Sequence, residues 1–468
     1  MLPVNCGSHA DYQNLVVENL RKYYPNPDFL ARSTWDIIER FWHLDLSDTD
    51  TLLTHKYSKF GPAPRTPSCM QRSYLLSIDF KVSSITEWAA QLKMNPLFAI
   101  LSGFQVGDTP GVGTFYDFMK RLWDSDDPHM TSHIHPLKAK VKKPDAKGEK
   151  AASVEKVTVA ELLPQLEKTA FPLNDQPYAS LFKIYQKEFL DVSVEKGLIH
   201  KDSLALAGDG TPVVTSHRER KKRICKCKEN GINDCSCDRY FSQPDCDIGW
   251  DSSRDCFYHG YDLYMLVDSQ SDLPVFPHYS YASKHDSHGF LQAFFRMRAF
   301  LPDYKVSKVL LDSAHDAMPY YQYFKRQNIT PFIDLNGKGG RPPVYKNDFT
   351  IDKDGVPVCP SGHRMRRDGI EVAKGRMKFK CPKISHTGGC ISCTCDKPCS
   401  KAKYGRTVHL ILNDNPRLFN NPPRSSKEWK LEYNARTSAE RSNKREKLDF
   451  KLEDGRHRST KMWYCRLY

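Results

Sequence analysis

The pattern of apolar and polar positions divides the chain into a helical first part and a mixed second part. The first 130 residues are predicted to be mostly helical, with Thr114 as the N-cap of one helix and Asp117 three residues later. The predicted helices cover residues 12–23, 34–42, 69–76, 86–100 and 114–123. Two of them, joined by a Gly/Pro connection, are compatible with a helix-turn-helix and equally with a small helical domain of another kind.

The apolar pattern stops between residues 135 and 157. This stretch is rich in Lys, Ala and Pro and is nearly free of large apolar side chains. Because it cannot contribute to a core, it is predicted to be a flexible basic linker and a domain boundary. A further helical segment, 158–197, is predicted to lead into the second part of the chain.

From residue 203 onward short apolar runs predict a sheet. Segments 204–209 and 306–312 each end in an acidic residue and are predicted buried strands, whereas 257–268 and 274–282 alternate like a hairpin with 270–272 in its turn. Helices at 289–301 and 316–327, a strand at 330–335 and a late helix complete the pattern. This order predicts an α/β, RNase H-like mixed sheet with flanking helices.

Charge and length narrow the functional class. The 468 residues are enough for two or three domains, and Lys plus Arg (70) exceed Asp plus Glu (56) by 14. From Lys401 to residue 468 there are seventeen basic residues against eight acidic ones. This excess predicts a polyanionic partner, of which nucleic acid is the default candidate. The first thirty residues contain no apolar run of secretory length, and no membrane-spanning segment is evident, so a cytoplasmic, nucleoid-associated location without a membrane partner is predicted.

The most informative stretch is YNARTSAERSNKREK near the C-terminus. Tyr433, Arg436, Glu440 and Lys447 fall within roughly 60° of arc on one helix face, where an apolar stripe would be usual. One interpretation is a solvated face with Arg–Glu pairing. The other is that the row places one acid on a metal and basic groups along a phosphate backbone.

Two further acids favour the second interpretation. Asp209 and Asp312 end predicted strands that would be neighbours in the sheet, and the late helix would add Glu440. Three carboxylates close together need a cation, and two Mg²⁺ (or Mn²⁺) ions could activate an attacking oxygen and stabilise a leaving one. The alternatives are an Asp-Gly turn at Asp209 and a helix cap at Asp312, with Asp316 as a competing candidate.

These residues carry a resemblance to a known family. AGDGTPV around Asp209, LLDSAHDAMPYY around Asp312, and Tyr433-x2-Arg436-x3-Glu440-x6-Lys447 resemble bacterial insertion-sequence transposases of the DDE type with the Tyr-Arg-Glu-Lys signature. The segments GWDSSRDCFYHGYDLY and TPGVGTFYDFMKRLW are further similarities. The resemblance covers most of the chain, and its most specific part is the four-residue spacing.

The resemblance implies a metal-dependent transposase that hydrolyses DNA at the element ends and joins the freed 3′-OH to target DNA. Its implied partners are double-stranded DNA (terminal inverted repeats and target) and a second copy of the chain, as a homodimer in the DNA complex. Asp209, Asp312 and Glu440 would be the metal ligands, and Tyr433, Arg436 and Lys447 would contact phosphates. No Trp lies between residues 312 and 427, so a hairpin step that uses such a Trp is not predicted. The alternatives are an inactive or domesticated relative that only binds DNA, and an RNase H-like nuclease without strand transfer.

The fifteen cysteines favour metal binding over disulfides. Two C-x-C pairs could close a tetrahedral Zn²⁺ site, or could be free thiols in a polar loop; they are Cys225, Cys227, Cys235 and Cys237. A later group resembles a zinc ribbon, although the sequence does not show which four of its residues would bind the ion; it comprises Cys359, His363, Cys381, Cys390, Cys393, Cys395 and Cys399.

The basic run HRERKKRICKCK predicts a phosphate-contacting loop or a solvated charge run, and its candidate contacts are Arg220, Lys221, Lys222 and Arg223.

These features define the predicted domain organisation. An N-terminal helical, DNA-end-binding domain (1–134) and a basic linker (135–157) precede a helical connector (158–202). The catalytic core begins at 203–336, with a Cys-rich insert at 217–247. A Cys-rich insertion (337–424) separates this part from the C-terminal helix and basic tail (425–468).

Overall fold

The chain folds as a mixed α/β structure in which helices surround a six-stranded mixed sheet. This agrees with the predicted α/β class. The computed structural model describes residues 7–58, 60–61, 63–125, 133–135, 157–215, 221–337, 344–345, 349–352, 354–385, 392–455 and 457–468. Within these ranges no helix combines the length and the apolar character that crossing a bilayer requires.

Seven helices are described before residue 125: α1 (His9–Tyr23), α2 (Arg32–His43), α3 (Ser47–Leu53), α4 (Pro67–Asp79), α5 (Ile85–Met94), α6 (Pro96–Ser102) and α7 (Val112–Arg121). The single helix predicted over 86–100 is wrong, because Pro96 disfavours helical backbone at Asn95. Asn95 instead caps α6 by accepting a hydrogen bond from the Leu97 amide at 3.0 Å. The predicted Thr114 cap is also wrong, since α7 begins at Val112 after Gly111, a residue well tolerated at an N-cap.

The segment between the N-terminal helices and the sheet is broken into short helices. These are α8 (Val159–Lys168), α9 (Ala179–Tyr185) and α10 (Val192–Glu195). Thr158 and Glu161 form a reciprocal capping box at the start of α8, which explains why the helix begins there. Residues 136–156 of the predicted linker lie outside the described residues, and its first residue belongs to β1 (His133–His135).

The central sheet contains β2 (Leu204–Val214), β5 (Asp247–Asp251), β6 (Cys256–Asp268), β7 (Pro274–Tyr281), β8 (Val306–Leu311) and β9 (Thr330–Ile333). Its order is β5-β6-β2-β8-β9, with β7 also paired to β6. The pairs β7–β6 and β6–β2 are antiparallel, whereas β2–β8 and β8–β9 are parallel. Two short strands, β3 (Lys221–Arg223) and β4 (Arg239–Phe241), pair with each other and join β1 in a separate three-stranded sheet.

Helices cover both faces of the sheet near its centre. α11 (Asp286–Phe300) and α12 (Met318–Arg326) flank β8, while α13 (Lys427–Asn434), α14 (Thr437–Lys444) and α15 (Thr460–Leu467) follow the insertion. A side chain at Gly210 would collide with Asp286 at the start of α11, and Asp209 bonds to α14. Because successive strand residues point to opposite faces, α11 and α14 lie on opposite sides of β2.

Two groups of buried apolar residues stabilise the chain. The first is continuous through the N-terminal helices, the connector, the sheet and the C-terminal helices, and includes Trp88, Phe182, Tyr264 and Trp463. Stacking of Tyr178 on Tyr464 at 4.6 Å joins α9 to α15 within it. The second group lies in the insertion and packs Met377, Phe379 and Leu410 together.

The insertion after β9 is built from short strands. They are β10 (Val344–Tyr345), β11 (Phe349–Ile351), β12 (Pro357–Val358), β13 (Arg366–Glu371), β14 (Arg376–Lys380), β15 (Ile384–Ser385), β16 (Ser392–Cys393) and β17 (Thr407–Ile411). At its end the buried Arg424 donates to the Ile333 carbonyl and to the Tyr321 hydroxyl, both at 2.9 Å. These bonds anchor the returning chain against β9 and α12.

Candidate active site

Asp209 on β2 and Asp312, the residue after β8, occupy equivalent positions in the register of two neighbouring parallel strands. The last parallel pair of β2 and β8 joins Ala207 to Leu310, and each acid lies two residues beyond it. The two strands separate at this point, because β8 ends at Leu311 while β2 continues along β6 alone. Both carboxyl groups therefore lie where the sheet opens between β2 and β8.

Asp209 does not end its strand, so that part of the prediction is wrong. β2 runs on to Val214, because its second half pairs with β6, and Asp209 itself is opposite Met265. Burial, followed by the charge of Asp286, raises the pKa of Asp209 to about 7, and Asp312 and Glu440 act in the same direction. The Arg436 charge opposes them. The Asp209 carboxylate is thus costly to ionise where it lies.

Asp312 is held by a chain of hydrogen bonds. Its Oδ1 accepts from the Ala314 amide at 3.1 Å and from His315 Nδ1 at 2.6 Å, and His315 Nε2 lies 2.9 Å from the Tyr264 hydroxyl. An ionised carboxylate only accepts, so His315 Nδ1 carries the proton of its bond to Asp312. Burial raises the pKa of Asp312, but the bonds from His315 and Ala314 and the Arg436 charge outweigh it and lower that pKa.

Asp316, the competing candidate, has a different environment. Its carboxylate is fully buried and accepts two bonds from Arg417, at 2.6 and 2.8 Å. It also accepts from the Tyr321 hydroxyl and the Asn336 amide. These four bonds connect α12 to the insertion. The role of Asp316 is therefore structural.

The C-terminal signature residues do not lie on one regular helix. α13 ends at Asn434 and α14 begins at Thr437, although Ala435 and Arg436 between them keep right-handed helical dihedral angles. Tyr433 stacks on Trp429 with ring centroids 4.5 Å apart, and burial raises its pKa to about 12. Glu440 is about half exposed (49%) and accepts a bond from Arg436 at 2.7 Å. The Arg–Glu pairing of the simpler interpretation is therefore present.

Lys447 lies apart from this pair. It belongs to a wider helical turn, Arg445–Asp449, which shifts it away from the regular helical spacing. Its ammonium pairs with Glu453 at 3.3 Å, and Glu453 also accepts from the Val214 amide at the end of β2. The predicted single stripe of four residues is wrong at this position, because the widened turn changes the register of the helix face.

Two polar residues near Asp209 were missed in the sequence. Asn443 is buried on α14 and donates to Asp209 Oδ2 at 3.3 Å. Asp286, the first residue of α11, is the acidic side chain whose charge raises the pKa of Asp209 most. Asn443 lies three residues after Glu440, so the spacing places it on the same helix face, but its contact with Asp209 has no local signal in the sequence.

The three predicted carboxylates share one region without forming a closed ligand shell. Among the described residues, only one group of three or more His, Cys, Asp or Glu side chains has all its donor atoms within 4.8 Å of one another. That group is Cys225, Cys227, Cys235 and Cys237, which could hold a metal ion such as zinc. Arg239 donates to Cys235 Sγ at 3.0 Å, and this bond lowers the pKa of Cys235 to about 6.

The other predicted zinc ligands are only partly described. Cys359 and Cys381 are buried, and burial together with the Cys359 thiol raises the pKa of the nearby Cys399. The His363 carbonyl accepts from the Cys359 amide at 2.9 Å. Cys390 and the side chain of Cys393 lie outside the described residues, whereas Cys395 is half-buried. A metal site in the insertion stays a prediction.

The predicted basic loop is separate from the central sheet. Arg220 lies outside the described residues, as does the side chain of Lys221. Lys222 is exposed on β3, and Arg223 donates to the Asn233 carbonyl at 2.7 Å. Its role in DNA contact stays a prediction.

No family model, curated protein or solved structure matches this chain.

Proposed function

We propose that the chain is a DDE transposase with an RNase H-like core, which cuts DNA at insertion-sequence ends and joins them to target DNA. The observation that supports this most is the shared register of Asp209 and Asp312 where β2 and β8 separate, with α14 packed against β2 and β6. The order β7-β6-β2-β8-β9, antiparallel and then parallel, is the one expected of an RNase H-like sheet.

The carboxylates fit a divalent cation. Asp209, Asp312 and Glu440 would hold Mg²⁺ or Mn²⁺, and Asp209 is buried among like charges that a cation would offset. When bound, two such ions activate the attacking oxygen and stabilise the leaving oxygen of a phosphoryl transfer. The hydrogen bonds to Asp312 keep its carboxylate ionised and oriented for this role.

Arg436 is the cation that balances these acids in the structure. Its guanidinium is bonded to Glu440, and its charge favours the ionised forms of Asp209 and Asp312. Once the carboxylates are engaged elsewhere, the guanidinium is free to bind a phosphate oxygen near the scissile bond. The formal net charge of +14 on the whole chain supports a polyanionic substrate.

The test is cleavage of DNA that carries the inverted repeats flanking the gene, in Mg²⁺ or Mn²⁺. Asp209→Asn, Asp312→Asn and Glu440→Gln should each reduce cleavage by about 100-fold or more while leaving DNA binding intact. Glu428→Gln, at an exposed acid on α13, is the matched control. Near-normal cleavage by one of the three variants would remove that residue from the site. Binding without cutting by the unmodified protein would favour a DNA-holding relative, and cutting without joining would favour a nuclease.

A further inference from the structure

In the loop between β3 and β4, the least exposed side chains are four cysteines. From Ile224 to Asp238 the four cysteines are half-buried, whereas every other residue is exposed. Even the two apolar side chains, Ile224 and Ile232, are 41% and 51% exposed. Since no hydrophobic side chain is buried in this loop, its fold depends on what joins the four thiols.

The positions of the sulfur atoms match a tetrahedral metal shell. Cys225 Sγ lies 3.5 Å from Cys235 Sγ, and Cys227 Sγ lies 3.6 Å from Cys237 Sγ. All four sulfur atoms lie within 4.8 Å of one another. A Zn²⁺ ion with Zn–S bonds of about 2.3 Å holds its sulfurs about 3.8 Å apart, whereas a disulfide needs about 2.05 Å.

Arg239 supplies a cation beside this shell. It is buried at the start of β4 and donates to Cys235 Sγ at 3.0 Å and to Cys225 Sγ at 3.9 Å. Its other bonds go to the carbonyls of Cys235, Cys237 and Asp238. Four thiolates around Zn²⁺ carry a net charge of about −2, so a guanidinium in this place would offset part of that charge and orient the ligands.

We propose that Cys225, Cys227, Cys235 and Cys237 form a structural Zn²⁺ site that folds this loop, with Arg239 as a positioning residue. Each thiol would release its proton on binding, and four sulfur ligands leave no open position for catalysis. The site would fix the end of the β3–β4 ribbon. This proposal does not depend on the proposed transposase activity.

The first experiment measures zinc and iron per chain in the full-length protein purified without added metal. The double variant C227S/C235S should lose one equivalent of zinc, whereas C256S, at an exposed cysteine on β6, should lose none. The difference between variants is the readout, because the cysteines of the insertion are also predicted zinc ligands. Equal zinc in both variants, or iron in place of zinc, would overturn the proposal.

A second measurement uses the unmodified chain, so it does not depend on whether the double variant folds. Exchange with Co²⁺ should give the visible absorption of a tetrahedral thiolate site. Thiol titration of the denatured protein without reductant should find these four cysteines reduced. Disulfides linking Cys225 to Cys235 and Cys227 to Cys237 would overturn the metal site.

The role of Arg239 is tested by competition with a zinc chelator. Arg239→Gln should weaken zinc retention about 10- to 100-fold, and Arg239→Lys should restore part of it. Arg223→Gln is the matched control, since within the described part of the chain Arg223 donates to the Asn233 carbonyl rather than to a cysteine sulfur. Equal zinc affinity in Arg239→Gln and Arg223→Gln would remove the positioning role.

Discussion

Asn443 on α14 donates a hydrogen bond to the Asp209 carboxylate on β2, with 3.3 Å between Asn443 Nδ2 and Asp209 Oδ2. The two residues are 234 positions apart in the chain. Asn443 is buried, so the bond fixes the distance between α14 and the central strand. The neutral Asn443 side chain thereby holds α14, the helix that carries Glu440, next to the Asp209 carboxylate, which is costly to ionise.

Replacement of Asn443 should show how sensitive this contact is. Asn443→Ala should lower the free energy of unfolding by about 1 kcal/mol, because one hydrogen bond is lost. Asn443→Asp should lower it further in metal-free protein, since a second carboxylate would face Asp209. Urea unfolding at pH 8 measures both. Asn434→Asp on exposed α13 is the control, and equal effects of Asn434→Asp and Asn443→Asp would contradict the expectation.

Two arginines on the same helical segment should differ in their effect on DNA binding. Arg436→Ala should flatten the dependence of log affinity on log salt by about one unit, because one phosphate contact is lost. Arg441→Ala should leave the slope almost unchanged, since Arg441 pairs with Asp272 at 2.6 Å. Binding to inverted-repeat DNA across a salt series gives both slopes. An unchanged slope in Arg436→Ala would remove this residue from the phosphate contacts.

The bonds from His315 should affect the chemical step rather than DNA affinity. His315→Gln and Tyr264→Phe interrupt the chain that orients Asp312, so cleavage should fall about 10- to 100-fold and need more Mg²⁺. His409→Gln in the insertion, where His409 lies beside Glu371, is the control. Single-turnover cleavage and DNA affinity are measured together. A loss of affinity with unchanged cleavage at saturation would contradict the positioning role.

The stability of the chain should depend on pH through Glu188. Burial raises the pKa of Glu188 to about 7, against bonds from Thr49 and Gln71 that lower it, and the Asp48 charge adds to the increase. The folded protein therefore holds a proton that the unfolded chain releases above about pH 4.5, so this contribution is complete below that pH and is lost as pH rises through 7. Glu188→Gln should make the fall in melting temperature between pH 5 and 8 smaller, as measured by thermal denaturation; Asp209, whose pKa is also about 7, keeps its own contribution. An unchanged profile would contradict the assignment, and Glu195→Gln is the control.

Many elements could be predicted because their apolar pattern is local. The strands predicted over 257–268, 274–282 and 306–312 correspond to β6, β7 and β8. Errors arose where one residue changes the local backbone, as at Pro96, or where pairing extends a strand, as in β2 beyond Asp209. The boundary of a strand depends on its partner, and the partner is distant in sequence.

The candidate site likewise divides into features that local sequence predicts and features that depend on distant contacts. Its three acids and the Arg436–Glu440 spacing could be identified from residue type and local order. The buried roles of His315 and Asn443 could not, because a hydrogen bond to Asp312 or Asp209 depends on which faces of distant elements meet. Asp316 and Asp312 are both acids of one short segment, and only the contact with Arg417 separates their roles.

By itself the sequence determined the α/β class, the position of the acids along the chain and the clustering of the cysteines. The tertiary structure decided which acids share a register, that Lys447 pairs with Glu453, and that four sulfur atoms lie within 4.8 Å of one another. The reason is physical: periodicity and residue type act over a few neighbouring residues, whereas burial, pKa and ligand geometry depend on side chains that only packing brings together.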